Sequence, residues 1–153
     1  MVLQSLSRQV SESIGLTFVR LALGVVFVVS GVGKVLGVGP KPLAIADFAG
    51  LLGQLGLPIP TLLAWLVGLL ELVGGILLLI GLGTRLVGLA LAIDMAVATV
   101  LVHLPNGFPV ANGGYEYTFV LAACALALAL GGPGVLSVDR FVGWRSLLGS
   151  SGN

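Results

Sequence analysis

TLLAWLVGLLELVGGILLLIGLGTRLVGLALAIDMAVATVLVHL, residues 61–104, is interrupted by no ionisable residue other than Glu71, Arg85, Asp94 and His103. A membrane-spanning helix takes about 20 predominantly apolar residues to cross roughly 30 Å of hydrocarbon. The stretch is long enough for two, over about 61–82 and 85–104. At their junction Gly81 and Gly83 suit a helix end, Thr84 can cap the next helix, and Arg85 can snorkel into the interface. So short a turn makes the two helices antiparallel neighbours.

Working outward, two more apolar runs flank this pair, at about 16–38 and 115–132. The 153-residue chain is 58% hydrophobic and 8% charged, against about 25% charged in a soluble domain. The alternating ten-residue strands of an outer-membrane barrel are absent. The expectation is an all-α membrane protein: four transmembrane helices in an up-down bundle, forming one domain over 1–145 with a flexible tail at 146–153. Arg8, Arg20, Arg85, Arg140 and Arg145 fall on one side, and Lys34 and Lys41 on the other. The positive-inside rule then puts both termini in the cytoplasm. No cleavage site follows the first apolar run, so that run is expected to stay in the protein. A net charge of +1, without basic-aromatic interleaving, gives no surface for nucleic acid.

The connection from Gly39 to Pro60 is the longest. Its Ala44–Leu55 segment reads as a short helix lying in the outer interface and roofing the bundle. After the fourth span, Gly131-Gly132-Pro133-Gly134 stops the helix, and Val135–Trp144 reads as a second interfacial helix with Ser137 as its cap. Cys124 is alone, which excludes an internal dithiol relay.

Ionisable residues within the spans are where function is sought, because a charge at the bilayer centre costs roughly 2.5–3.5 kcal/mol even on lenient scales. At about 100° per residue, Arg20, Gly24, Phe27, Gly31 and Lys34 share one stripe of the first span, which must face the bundle interior. Glu71 and Asp94 lie near mid-depth in the second and third spans. Arg20, Glu71 and Asp94 are therefore the expected buried charge network, with either one acid protonated or Arg20 neutralising them. Lys34, His103, Tyr115 and Glu116 reach similar height at the outer side and are the candidate ligand-binding residues. Arg85 and Asp139 are expected to pair at the cytoplasmic rim. Asp94 and His103 are nine residues apart, about 180° around a straight helix, so they share a face only if Pro105 frays the helix end at His103. One histidine cannot supply a two-histidine haem, and no metal site is expected.

Together these pieces resemble the DoxX family of small bacterial and archaeal four-helix membrane proteins. The likeness rests on Arg20…Phe27…Gly31-x-x-Lys34, Gly56-Leu57-Pro58, Glu71-x-x-Gly74-Gly75, Gly83-Thr84-Arg85, His103, Tyr115-Glu116-Tyr117 and Gly132-Pro133-Gly134-x-x-Ser137-x-Asp139. Their order and spacing cover roughly residues 15–140. Asp94 is not part of the pattern. The resemblance implies a cytoplasmic-membrane protein associated with redox chemistry, since the family is linked to the small membrane subunits of thiosulfate:quinone oxidoreductase. Two functions follow as expectations. One is a membrane subunit of a quinone-linked redox system, working with a redox partner protein or as a homo-oligomer. The other is a non-catalytic anchor or assembly protein whose charges are structural. Whether the chain is itself an enzyme stays open. A quinone, if bound, would sit towards the outer face under the Ala44–Leu55 roof.

Overall fold

The computed structural model describes residues 2–149, with side chains described for 13–143. Six α-helices follow in order: α1 (Val2–Leu36), α2 (Ile45–Gln54), α3 (Pro60–Ile80), α4 (Thr84–Ala98), α5 (Glu116–Gly131) and α6 (Val138–Gly149). The expected basic side chains Arg8 and Arg145, and Trp144, lie outside the described side chains. Of the tail expected at 146–153, residues 150–153 lie outside the described residues.

Three segments are long and apolar enough to cross a membrane: Ser13–Leu36, Pro60–Ile80 and Thr84–Asn106. Glu116–Gly131 is a shorter apolar helix of 16 residues. Proline opens α3 at its first turn, where the missing N–H is harmless. Gly81 ends α3 in the left-handed conformation, at φ 72°, which glycine adopts without a Cβ penalty.

Residue-by-residue contacts run antiparallel. Along α1 and α3, Gly24 meets Gly75 and Leu79, Gly31 meets Leu72, and Lys34 meets Gly68. A Cβ on Gly75 would stand 2.6 Å from the Val28 amide nitrogen, and one on Gly31 would run into the Leu72 backbone. These glycines let two backbones touch in lipid, where no hydrophobic force drives helices together. Likewise α4 and α5 cross where Gly88 abuts Ala125, Leu128 and Ala129.

The bundle has two unlike ends. Towards Arg20, an apolar core that includes Leu23, Phe27, Leu78, Val87, Leu91, Ala125 and Leu128 fills the interior. Towards Lys34, α2 lies across the bundle and packs Ala49 and Leu52 on Ala64 of α3. The interior beneath α2 is open.

That opening also has a local backbone cause. From Thr99 to His103 the chain continues α4 as a π-helical turn, then tightens into a 3-10 turn at Leu104–Asn106. Pro105 disfavours helix at the residue before it. A wider turn advances roughly 80–90° per residue rather than 100°. The phase between Asp94 and His103 therefore shrinks, and both residues line the same cavity. The straight-helix expectation that they face apart does not hold.

Candidate functional site

Lys34 is the centre of the site. Helical side chains lean towards the helix N-terminus, so its ammonium drops into the bundle and donates 2.9 Å to Ser30 Oγ, one turn back. It also pairs with Oε2 of Glu71. Lys34 is 8% exposed and Glu71 3%. Phe48 of α2 covers the ammonium, with its ring centroid 5.2 Å from Nζ. This is the one ion pair among the described residues. A buried charge is held better when it has partners beyond its counter-ion, and for Lys34 these are Ser30 and the Phe48 ring.

Around the pair is a cavity of about 530 Å³, open on one side. Its walls are mainly apolar, from Phe27, Leu52, Val67, Met95, Leu101 and Leu121. Its polar groups are Ser30, Lys34, Glu71, Asp94, His103, Tyr117 and Thr118, with Lys41 also on the lining. Asp94 lines the same cavity as Glu71 and Lys34. Its Oδ2 is buried with no hydrogen-bond partner among the described residues. His103 is half-buried, and its Nδ1 lies 2.7 Å from the Gly113 carbonyl. Lys41, on the α1–α2 connection, stacks its Nζ 5.4 Å from the Tyr117 ring centroid and so bridges that connection to α5.

Two of the four residues expected to bind a ligand line this cavity, Lys34 and His103. The other two serve the 107–115 loop. Glu116 accepts from the Val110 amide at 3.1 Å, and the Tyr115 ring packs edge-on to Phe108 at 5.3 Å. Their neighbour Tyr117 takes the cavity position instead. Helical phase separates 115 and 116 from 117, and composition alone gave no means of choosing among them.

The expected charge network needs a correction at Arg20. That residue does not pair with Glu71. It lies 14 residues from Lys34 along α1, about 21 Å at 1.5 Å per residue, at the opposite end. Its guanidinium, 1% exposed, donates to four backbone carbonyls. Nε reaches Pro133 O at 2.8 Å and Nη1 reaches Leu79 O at 3.0 Å. Further bonds go to Leu78 O and Leu136 O. Leu78 O and Leu79 O lie in the last turn of α3, whose carbonyls have no amide four residues on within the helix. Arg20 thus ties the end of α3 to the turn after α5.

The rim pair also needs correcting. Asp139 makes no ion pair with an arginine among the described residues. Its carboxylate accepts from the Gly83 amide at 2.7 Å and the Thr84 amide at 2.8 Å, capping α4 from another helix. Its own amide donates 2.9 Å to Gly81 O. Arg85 turns the other way and donates to Leu130 O at 2.9 Å, at the end of α5. The tail is pinned against the α3–α4 turn as expected, but by backbone groups. Ser137 accepts from the Arg140 amide at 3.3 Å, so it does cap α6.

Several apolar, antiparallel helices enclosing a polar cluster define an all-helical, multi-pass membrane protein. The chain belongs to the DoxX family, which it matches over residues 15–104. It is 32% identical over 132 residues to a Bacillus subtilis protein named "Putative oxidoreductase CatD", covering 86% of this chain and 90% of that one. It is 34% identical over 139 residues to a Mycobacterium tuberculosis protein named "Uncharacterized membrane protein Rv3486", covering 84% and 81%. An uncharacterized Haemophilus influenzae protein is 31% identical over 129 residues, covering 82% and 88%. No solved structure matches the chain.

Proposed function

We propose that this chain is a membrane subunit of a redox system and that its cavity receives a quinone-type headgroup. The observation that carries this reading is the cavity itself, about 530 Å³ and mainly apolar, with its few polar side chains gathered around Lys34 and Glu71. Small-ligand sites are hollows of about 300–1,000 Å³ with a small number of placed polar groups. The unpartnered Asp94 Oδ2 fits a ligand that brings a polar atom to it. The similarity to a relative named as an oxidoreductase supports redox chemistry as the context.

Within that reading the chain's own residues bind and handle protons. Lys34 and Ser30 orient one polar edge of the ligand, and Glu71 and Asp94 are the groups able to exchange protons with it. The apolar walls exclude water from these contacts. A quinone, when bound, supplies the electron-accepting chemistry. The membrane is the cytoplasmic one, with both termini inside, because Arg85 and Arg140 lie at the Arg20 end and Lys41 at the other.

A second reading, a non-catalytic assembly protein, is favoured by one observation. Arg20, Arg85 and Asp139 all bond to backbone and are structural. Native mass spectrometry of the detergent-purified protein separates the two. Bound quinone that is lost in Lys34→Met supports the first reading. A stoichiometric protein partner with no quinone supports the second.

A further inference from the structure

The polar groups around the cavity can be sorted by what hydrogen-bonding capacity they have left. Lys34 has placed two of its three N–H groups, on Ser30 and Glu71, and holds its charge against the Phe48 ring. Thr99 and Thr118 stand 2.8 Å apart, with Met95 O at 2.7 Å from one hydroxyl and Tyr115 O at 3.2 Å from the other. Two hydroxyl hydrogens can fill at most two of those three contacts, so neither threonine has a hydrogen to spare. At His103 the partner of Nδ1 is a carbonyl, which can only accept. Nδ1 therefore carries the hydrogen, and in the neutral ring Nε2 is left as an acceptor. Asp94 has Oδ2 buried without a partner. Ser30 and Tyr117 keep hydroxyls that can turn either way.

Donors are present as well, in the third N–H of Lys34 and in the Lys41 ammonium on the lining. The buried cavity atom left with no partner is the acceptor Asp94 Oδ2. A carbonyl-bearing ring leaves it unmet, and a hydroxyl-bearing ring brings an O–H donor that meets it. The two forms differ most at Asp94. An ionised Asp94 can only accept, so it matches a hydroxyl and repels a carbonyl. A neutral one can donate to either, but it still needs a donor for its second oxygen. A hydroxyl suits both protonation states, whereas a carbonyl suits one.

We infer that the cavity holds the reduced, hydroxyl-bearing form of its aromatic ligand in preference to the oxidised, carbonyl-bearing form, with Asp94 as the acceptor that discriminates them. This rests on the reading of the cavity as a quinone-type site, and deepens it by assigning the form bound and a role for Asp94.

The test is anaerobic calorimetric titration of the detergent-purified protein with a benzoquinone carrying a short alkyl chain, and separately with the hydroquinone made from it. The hydroquinone is expected to bind about ten-fold or more tighter, the scale of leaving one buried acceptor unmet. Asp94→Leu should remove that preference. Asp94→Asn, which offers both an acceptor and a donor, should narrow it while keeping the side chain's size. Thermal unfolding of each variant shows that it is folded. Equal affinity for both forms in the unaltered protein overturns the inference and leaves the quinone-type site standing. A preference retained in Asp94→Leu overturns the role of Asp94. Binding of neither form overturns the site and the inference together.

Discussion

Arg20 and Asp94 are both single ionisable residues set in apolar helices, and the molecule treats them in opposite ways. At the Arg20 end, charged side chains are matched to backbone groups: four carbonyls for Arg20, two amides for Asp139, and the end of α5 for Arg85. The interior there is filled by Leu23, Leu78, Leu91 and Leu128. At the Lys34 end the ion pair borders an open cavity, and Asp94 keeps a buried oxygen with no partner. A buried polar group left unmet costs about 1–3 kcal/mol. The first end therefore contributes stability, and the second gives some up where a ligand can sit. Substitutions at the two ends should differ accordingly.

The largest expected effect is at Arg20. Arg20→Leu removes the Arg20 bonds to the Leu78, Leu79, Pro133 and Leu136 carbonyls and should destabilise the protein by about 3–5 kcal/mol, since each buried carbonyl left unmet costs about 1–3 kcal/mol. Arg20→Lys should recover little of this. A lysine ammonium cannot present the planar fork that reaches four carbonyls at once. Thermal unfolding in detergent measures both. A lysine variant as stable as the original would show that charge, rather than the fork, holds this end.

Next in size is the pair at the other end. Lys34→Met strands the Glu71 carboxylate, and Glu71→Gln strands the Lys34 ammonium. The double variant removes both charges and should be more stable than the sum of the single losses predicts, with a coupling of about 1–3 kcal/mol. Strictly additive losses would mean that the two residues do not act as a pair.

This contrast explains which features were legible in the amino-acid sequence. The apolar runs, the tight Gly81–Arg85 turn and the α2 segment follow from composition and periodicity, and each appears within a few residues of its expected place. The inward stripe of α1 was legible too, because Arg20 and Lys34 recur at helical spacing. The partner of Arg20 was not, since backbone carbonyls leave no mark in sequence and the nearest visible acid was Glu71. The same holds at Asp139, whose partners are the amides of Gly83 and Thr84. The meeting of Asp94 and His103 depended on the π-helical turn at Thr99–His103. No residue type announces such a turn, and it alone changes the phase between them. Nothing in the sequence sets Tyr117 apart from Tyr115 and Glu116, which stand at the same height.

A smaller effect is expected at Asp139. Removing a helix cap costs typically about 1 kcal/mol, so Asp139→Ala should lower stability by that amount. Hydrogen exchange should rise at the Gly83 and Thr84 amides, which lose their acceptor. If those amides exchange no faster, the cap contributes nothing to the start of α4.

The smallest effect is expected at Arg85, and it decides between two accounts of the rim. Its guanidinium donates to Leu130 O at the end of α5, a favourable but exposed interaction with a helix C-terminus worth about 0.3–1 kcal/mol. Arg85→Met should cost no more than this. It should also leave exchange at Gly83 and Thr84 unchanged, because Asp139 reaches those amides without any help from Arg85. An Arg85–Asp139 ion pair would behave differently, since loss of the arginine would release the carboxylate and expose the same two amides. Matching increases in exchange for Arg85→Met and Asp139→Ala would restore the ion pair as what pins α6. Faster exchange in Asp139→Ala alone assigns that task to the carboxylate and the start of α4.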